Sequence, residues 1–166
     1  MQINWCKFVK FVFNIYFYTK KVETKILTTL DEMLSEIEII QQLYPEITLE
    51  KYQTYLTEMI PHNYQQLAIF EHGICIGLTG FWSGIKLWSG KYIEIDNFIV
   101  HSDHRRKGIG KIMTDYISNL AEQTNCNIVV LDAYTGNFKA HRFYYNQGYA
   151  PRGFHFVKTL NKEGLT

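Results

Sequence analysis

The sequence predicts one α/β (α+β) domain built on a mixed, mostly antiparallel sheet. A length of 166 residues suits a single domain with one core. Between Gln66 and Val100, three strand-like segments are separated by turn signals, which is the pattern of an antiparallel meander. A continuous apolar run, Asn127 to Tyr134, follows a strongly amphipathic helix, and this order implies a β-α-β crossover.

The domain begins with one strand-like segment, which is followed by two predicted helices. Val22 to Leu27 is typical of a strand. The next helix opens at Thr29 or Asp31 and stops before Pro45, and a second helix runs from Thr48 to Pro61. The apolar residues of both recur at helical spacing, so the chain begins its domain with a strand and a helix pair.

The rest of the chain alternates strands and helices. The meander ends with the strand Tyr92 to Val100, preceded by a glycine-bearing loop from Ser83 to Lys91. An uninterrupted stripe from Ile109 to Ala121 predicts the most regular helix of the chain. After the crossover strand, a short helix is expected from Asn137 to Asn146 and a last strand from Tyr149 to Val157.

Composition excludes several classes of protein. Apolar residues make up 46% and charged residues 20%, and 17 lysines and arginines face 16 acids, which argues against disorder and against a general nucleic-acid partner. The cysteines Cys6, Cys75 and Cys126 are odd in number and form no Cys-x-x-Cys pair. This favours a reducing, cytoplasmic compartment over a disulfide framework or a zinc site.

Residues 1–21 form an aromatic-rich extension before the domain of residues 22–166. Lys7 and Lys10 interrupt its apolar run, so neither a signal peptide nor a membrane helix is expected. Its β-formers predict an extra strand that covers a sheet edge or a partner subunit, which makes a homodimer possible.

The stretch HRRKGIGK, His104 to Lys111, predicts an anion site. It lies between a strand and a helix, where the first helical N–H groups are unpaired and two glycines let a ligand approach the backbone. Those amides and the side chains of Arg105 and Arg106 suit a pyrophosphate. A Walker loop is excluded by Ile112, and a dinucleotide fingerprint by Met113. A solvated glycine turn or a nucleic-acid contact remains open on this stretch alone.

Two motifs carry a family resemblance. Arg105-Arg106-Lys107-Gly108-Ile109-Gly110 matches the pattern [Arg/Gln]-x-x-Gly-x-[Gly/Ala], directly after the strand NFIV. The stretch NFKAHRFYYNQGY matches Asn-x-x-Ala-x-x-Phe-Tyr-x-x-x-Gly-[Phe/Tyr], in register at Asn137, Ala140, Phe143, Tyr144, Gly148 and Tyr149. The chain therefore resembles the GCN5-related N-acetyltransferase (GNAT) family from about Val22 to Lys158.

The resemblance implies a fold and a donor. The fold would be a sheet in which two neighbouring parallel strands splay apart, flanked by about four helices, with acetyl-CoA in the cleft and no metal. The backbone of Phe98, Ile99 and Val100 would meet the pantetheine arm. The pyrophosphate would lie against Arg105, Arg106, Lys107, Gly108, Ile109, Gly110 and Lys111. Asn137 would touch the pantetheine or orient its helix, with Ala140 and Phe143 completing that motif, and Tyr144 would be the general acid.

Two strand acids are candidates for the general base. Glu94 and Asp96 are two residues apart on a strand and so project from one face of the sheet. The longer arm of Glu94 favours it slightly, and either could act through water. For each, a salt-bridged or solvated strand acid is the alternative interpretation, and for Tyr144 the alternative is a packed core aromatic.

The expected function is N-acetylation of a small-molecule or peptide amine by direct attack, without an acyl-enzyme. The alternative is a non-catalytic acyl-CoA-binding module. Acceptor contacts are expected from the early helices and from the loop Trp82 to Lys91, where Trp82, Trp88 and Tyr92 could form an aromatic wall. The pair His101-x-x-His104 lacks further ligands, which argues against a metal site.

Overall fold

The computed structural model describes residues 22–161, which form one five-stranded sheet with helices on both faces. The strands are β1 Glu23–Leu27, β2 Tyr64–Glu71, β3 Ile74–Lys86, β4 Gly90–Val100 and β5 Ile128–Leu131. The α-helices are α1 Leu30–Leu34, α2 Ile37–Ile40, α3 Leu49–Met59, α4 Ile109–Gln123 and α5 Phe138–Asn146. The strand order is β1-β2-β3-β4-β5.

Sheet pairing follows the prediction of a mixed sheet. β1 to β4 pair antiparallel in chain order. β4 and β5 pair parallel through the crossover helix α4, from Tyr92 opposite Ile128 to Ile95 opposite Leu131. The predicted fold class, a mostly antiparallel sheet with one parallel pair, is confirmed.

The helix starts lie where the sequence predicts them. The Thr29 hydroxyl accepts from the Glu32 amide and the Glu32 carboxylate accepts from the Thr29 amide, which forms a capping box. The hydroxyl of Thr48 caps α3 in the same way by accepting from the Lys51 amide. The first predicted helix is broken, however, because Glu36 leaves helical geometry and α2 starts after it.

Two apolar cores lie on opposite faces of the sheet. Under α1 to α3, Met33, Leu56 and Leu78 are fully buried. Under α4, Met113 and Ile117 pack on the other face and are equally buried. Each helix presents one apolar stripe to the sheet, so the burial of these stripes holds the strands in place.

Two expectations for strands turned out differently, and a third is not tested. Residues 151–161 have no regular secondary structure, so the predicted strand Tyr149 to Val157 is wrong. The crossover strand is only four residues long and half-buried, because β5 has no further neighbour among the described strands. The predicted N-terminal strand lies outside the described residues. Within residues 22–161, no helix has the length and apolar character needed to cross a membrane.

Candidate active site

A cleft opens where β4 and β5 stop pairing. β5 ends at Leu131, whereas β4 continues beyond Ile95 to Val100, and no strand within residues 22–161 pairs with that edge of β4. At this fork lies a cavity of about 220 Å³. Its lining residues are Trp82, Glu94, Ile95, Asp96, Asn97, Phe98, Leu131, Asp132 and Tyr144. The cavity is smaller than a typical whole-ligand pocket of roughly 300–1,000 Å³, so it suits only the reacting ends of larger substrates.

A β-bulge at Asn97 shapes this part of β4. Gly80 pairs with Asp96 but Leu78 pairs with Ile99, so β4 carries one extra residue opposite β3. Asn97 adopts a φ of 52°, in the left-handed region. Because of this extra residue, the side chains after Asn97 lie on the opposite face of the sheet from the one that regular alternation would give. Ile95 lies in the core under α4, whereas Ile99 lies in the core under α1 to α3.

Two tyrosines hold the bulge. The hydroxyl of Tyr44 donates to Asn97 Oδ1 at 2.7 Å, and Asn97 Nδ2 donates to the hydroxyl of Tyr64 at 3.3 Å. Tyr64 fits against β3 only because residue 80 is glycine, since a β-carbon there would overlap its hydroxyl. A strained backbone position is thus held by bonds from the α2–α3 connection and from β2.

The carboxylates at the cavity have different partners. Lys86 Nζ lies 2.9 Å from Glu94 Oε2, and the indole N–H of Trp82 donates to Asp96 Oδ2 at 3.3 Å. Asp132, which follows β5, lies 2.6 Å from Nδ1 of His155. Glu94 is therefore neutralised by a cation, whereas Asp96 is held by a neutral donor.

Tyr144, on α5, lines the same cavity as the carboxylates. Its ring makes edge contacts with Phe98, Phe143 and Tyr149 at centroid distances of 6.0, 5.2 and 5.7 Å. Burial, with a smaller effect of Tyr149, raises the pKa of Tyr144 to about 12. Its hydroxyl therefore stays protonated at neutral pH and can donate to a developing anion.

The glycine turn presents free backbone donors. Among residues 22–161, no acceptor bonds the N–H groups of Arg106 to Lys111. Gly108, the residue before α4, has a φ of 85° with open space around it, and Arg106 also has a positive φ of 62°. No acid lies in the first turn of α4. The turn therefore offers an anion a row of amides at the positive end of a helix.

The basic side chains of the turn are partly engaged. Arg105 Nε donates to the carbonyl of Val100 at 3.1 Å, which folds this side chain back onto β4. Lys111 Nζ lies 2.6 Å from Asp115 Oδ2, one helical turn further along. The backbone amides are therefore the better defined part of the anion site.

Gly110 brings α4, α5 and β4 together. A β-carbon there would lie 3.1 Å from Phe143 and 3.6 Å from Phe98. Asn137 caps α5, because its side chain accepts from the Ala140 amide at 3.1 Å. The second motif thus orients α5 and with it Tyr144.

The comparisons with known proteins show the family of the chain. The model of the acetyltransferase (GNAT) family matches residues 32–149. The chain belongs to the GNAT family of acetyltransferases. A GNAT relative, the uncharacterized N-acetyltransferase YhdJ of Bacillus subtilis (strain 168), is 26% identical over 141 residues, which covers 84% of this chain and 99% of that protein.

Solved structures share the GNAT fold. Glucosamine-6-phosphate N-acetyltransferase from Arabidopsis thaliana has a TM-score of 0.65 at 21% identity, with 84% of this chain and 99% of that chain covered. The aminoglycoside N-acetyltransferase AAC(6')-Iy, in complex with CoA, has a TM-score of 0.71 at 13% identity, with 84% and 97% covered. At these identities the likeness shows the fold.

The structure brings the sequence-predicted residues of this GNAT acetyltransferase to one end of the sheet. Glu94, Asp96 and Tyr144 line the same cavity. Of the predicted aromatic wall, Trp82 lines the cavity, whereas Trp88 is 68% exposed at the β3–β4 hairpin. Within residues 22–161, no group of three or more His, Cys, Asp or Glu side chains is arranged to hold a metal ion.

Sequence reasoning missed Asn97, Asp132 and Lys86. A signal existed for Asn97, because alternation is lost in the run Phe98 to Val100 directly after a residue that tolerates positive φ. A signal existed for Asp132 as well, since it follows the carboxyl end of a parallel strand. No sequence signal pointed to Lys86, because its partner Glu94 lies diagonally across the β3–β4 pair.

Proposed function

We propose that the chain transfers the acetyl group of acetyl-CoA to a primary amine by direct attack. The observation that carries the proposal is the cavity at the fork of β4 and β5, which Glu94, Asp96 and Tyr144 all line. The amine that receives the acetyl group must lose a proton to a base, and the departing thiolate needs a donor group beside its sulfur. Both kinds of group line this one cavity.

The residues present fit the donor. The unpaired amides of Arg106 to Lys111 suit a diphosphate. The unpaired edge of β4 from Asp96 to Val100 suits an extended arm with amide groups, since such an arm can bond a strand edge. Bound acetyl-CoA would supply a thioester at the cavity.

Glu94 is the preferred proton acceptor. An alkylamine with a pKa of about 10.4 is neutral in only about a few parts in ten thousand at pH 7, a cost of roughly 4–5 kcal/mol. A carboxylate at the cavity provides a base for the proton that the ammonium must lose before its nitrogen can attack. The longer arm of Glu94 favours it, and Asp96 remains the alternative.

Tyr144 is the proposed hydrogen-bond donor to sulfur. With a pKa of about 12 the hydroxyl is protonated at neutral pH. A thiol has a pKa near 8.5, below that of Tyr144, so complete proton transfer to a free thiolate is uphill. The hydroxyl therefore acts by donating a hydrogen bond to the sulfur as the carbon–sulfur bond breaks, and any proton that the thiolate finally takes is replaced on Tyr144 from water. The amine proton goes to the carboxylate.

The names of the structural neighbours support an amine acceptor. One is a glucosamine-6-phosphate N-acetyltransferase and others are aminoglycoside acetyltransferases. Carboxylates around the cavity suit a cationic amine, which binds as an ammonium and gives up a proton before its nitrogen attacks.

The test is free-thiol release from acetyl-CoA with a panel of primary amines, beside calorimetry of CoA binding. We expect CoA to bind and at least one amine class to release thiol above the rate of hydrolysis. CoA binding without thiol release for any amine would instead support the non-catalytic acyl-CoA-binding module. Absence of CoA binding would exclude both functions.

A further inference from the structure

Lys86 places an ammonium group against Glu94, one of the residues that line the cavity. It is the last residue of β3, and its Nζ lies 2.9 Å from Glu94 Oε2 and 4.2 Å from the centroid of the Tyr92 ring. Its side chain is 34% exposed and that of Glu94 is 32% exposed, so solvent reaches both groups. The hydrogen bond to Glu94 raises the pKa of Lys86, which keeps it charged.

The surroundings of Lys86 are those that a substrate ammonium would use. A primary ammonium binds a carboxylate oxygen and the face of an aromatic ring, and Glu94 and Tyr92 provide both. A second ammonium at the free oxygen of Glu94 would lie within a few ångströms of Lys86, where like charges repel. Glu94 therefore cannot hold Lys86 and a cationic acceptor at the same time without cost.

We propose that Lys86 occupies the amine subsite formed by Glu94 and Tyr92 as a tethered competitor, and that a cationic acceptor must displace it. The proposal rests on the proposed function, and it makes Lys86 a specificity residue. Lys86 offsets one of the three carboxylates at the cavity, the others being Asp96 and Asp132. Removing its charge makes the cavity more negative, which favours dications over monocations.

The test compares amine binding by the CoA complex of the full chain and of its Lys86→Met variant. The probes are 1-aminobutane and 1,4-diaminobutane, titrated and followed by NMR or calorimetry. Methionine keeps the apolar stem and removes the charge. We expect the variant to bind 1-aminobutane about two- to fivefold more tightly, the worth of an exposed ion pair, and the diamine with a larger gain.

Two control variants isolate the charge at this position. Lys86→Arg keeps the cation and should bind both amines as the wild type does. Lys139→Met removes an exposed lysine of α5 that is not among the residues lining the cavity, and it should leave both affinities unchanged. Equal amine affinity in Lys86→Met and wild type would overturn the proposal, and so would an equal gain in Lys139→Met.

The same experiment separates this inference from the proposed function. Amine affinity is measured without turnover, so the competition at Glu94 is tested even if no amine releases thiol. If Lys86→Met unfolds at a lower temperature but binds both amines as before, Lys86 only fastens the hairpin, and the proposal fails. If an acceptor is found, its KM should fall in Lys86→Met with kcat little changed.

Discussion

The two sides of the cleft are built from different parts of the chain. The donor side, residues 98–111, offers backbone groups: the free edge of β4 and the unpaired amides that lead into α4. The acceptor side, formed by Trp82, Lys86, Glu94, Asp96 and Asn97, offers side chains whose partners come from other strands. Backbone groups keep their geometry whatever the neighbours are, whereas the side chains depend on cross-strand contacts.

This difference predicts that substitutions on the two sides impair different steps, CoA binding on one side and amine acetylation on the other. Changes on the donor side should weaken CoA binding, because they move amides and a strand edge. Changes on the acceptor side should leave CoA binding alone and alter the amine and the proton transfers. If a donor-side substitution altered amine binding, or an acceptor-side substitution weakened CoA binding, the two sides would be coupled through β4, the strand that they share.

The largest effect on kcat is expected from Tyr144→Phe, at a residue that lies between the donor side and the acceptor side. The ring and its packing against Phe98 stay, but the hydrogen-bond donor to the leaving thiolate is lost. Since general acids contribute about 10²–10⁴-fold, kcat should fall at least about 100-fold while CoA affinity stays within about twofold. Steady-state thiol release and calorimetry check both. Tyr145→Phe, at a ring that is 58% exposed, is the matched control.

The pH profile sharpens this prediction. Burial raises the pKa of Tyr144 to about 12, and the group acts in its protonated form, so the donor is present up to about pH 11 and is lost above that. A decline of kcat between pH 7 and 10 therefore does not arise from Tyr144. If Tyr144→Phe kept full kcat over this range, Tyr144 would be a packing residue.

The next largest effect separates the two acids. Glu94→Gln should lower kcat/KM at pH 7 at least about tenfold, and Asp96→Asn should lower it less, because Glu94 is the preferred proton acceptor. The defect of Glu94→Gln should shrink as pH approaches the amine pKa of about 10.4, where solution supplies neutral amine. The reverse ranking would make Asp96 the base. CoA affinity should be unchanged in both variants.

On the donor side, Gly110→Val should weaken CoA binding about fivefold or more. The added side chain would press on Phe143 of α5 and on Phe98, which lies in the part of β4 beyond its pairing with β5. Overpacking of this kind costs about 1–3 kcal/mol of stability, which thermal unfolding measures. Gly136→Val is the control, because a β-carbon there meets nothing within 4 Å. Equal CoA affinity in both variants would contradict the role given to Gly110.

The same division explains what the sequence could predict. The anion turn follows from local pattern, since two glycines between a strand and an amphipathic helix leave amides free whatever else the fold does. The bulge at Asn97 depends on pairing with β3, and the Lys86–Glu94 contact depends on a diagonal across two strands. Neither is visible from spacing along one segment.

The wrong prediction at the carboxyl end has a related cause. Tyr149 to Val157 contains the β-formers Phe154, Phe156 and Val157, but Pro151 and Gly153 disfavour a strand, and β-formers give one only where a neighbour is available to pair with it. Among the described residues this segment is held beside β5 by the contact of His155 with Asp132, both largely exposed, rather than by a ladder. The strand propensity of this segment is therefore not realised, because no ladder forms between it and β5.

The smallest expected effect, from Tyr44→Phe, tests whether the acceptor side is held from a distance. The variant keeps the ring but removes the 2.7 Å bond to Asn97, so a half-buried amide oxygen loses its donor. The cost should be about 0.5–1.5 kcal/mol in urea unfolding. Tyr55→Phe, at an exposed tyrosine of α3, should cost little.

The kinetic result then decides what the bond is for. Asn97 has a left-handed backbone between Asp96 and Phe98, so loosening its side chain lets the bulge relax towards a regular strand. Relaxation would shift the alternation of faces and move Asp96 relative to Tyr144. A fall in kcat at unchanged CoA affinity would therefore show that Tyr44 maintains the geometry of the acceptor side. Loss of stability with unchanged kcat would limit Tyr44 to fastening the α2–α3 connection onto the sheet.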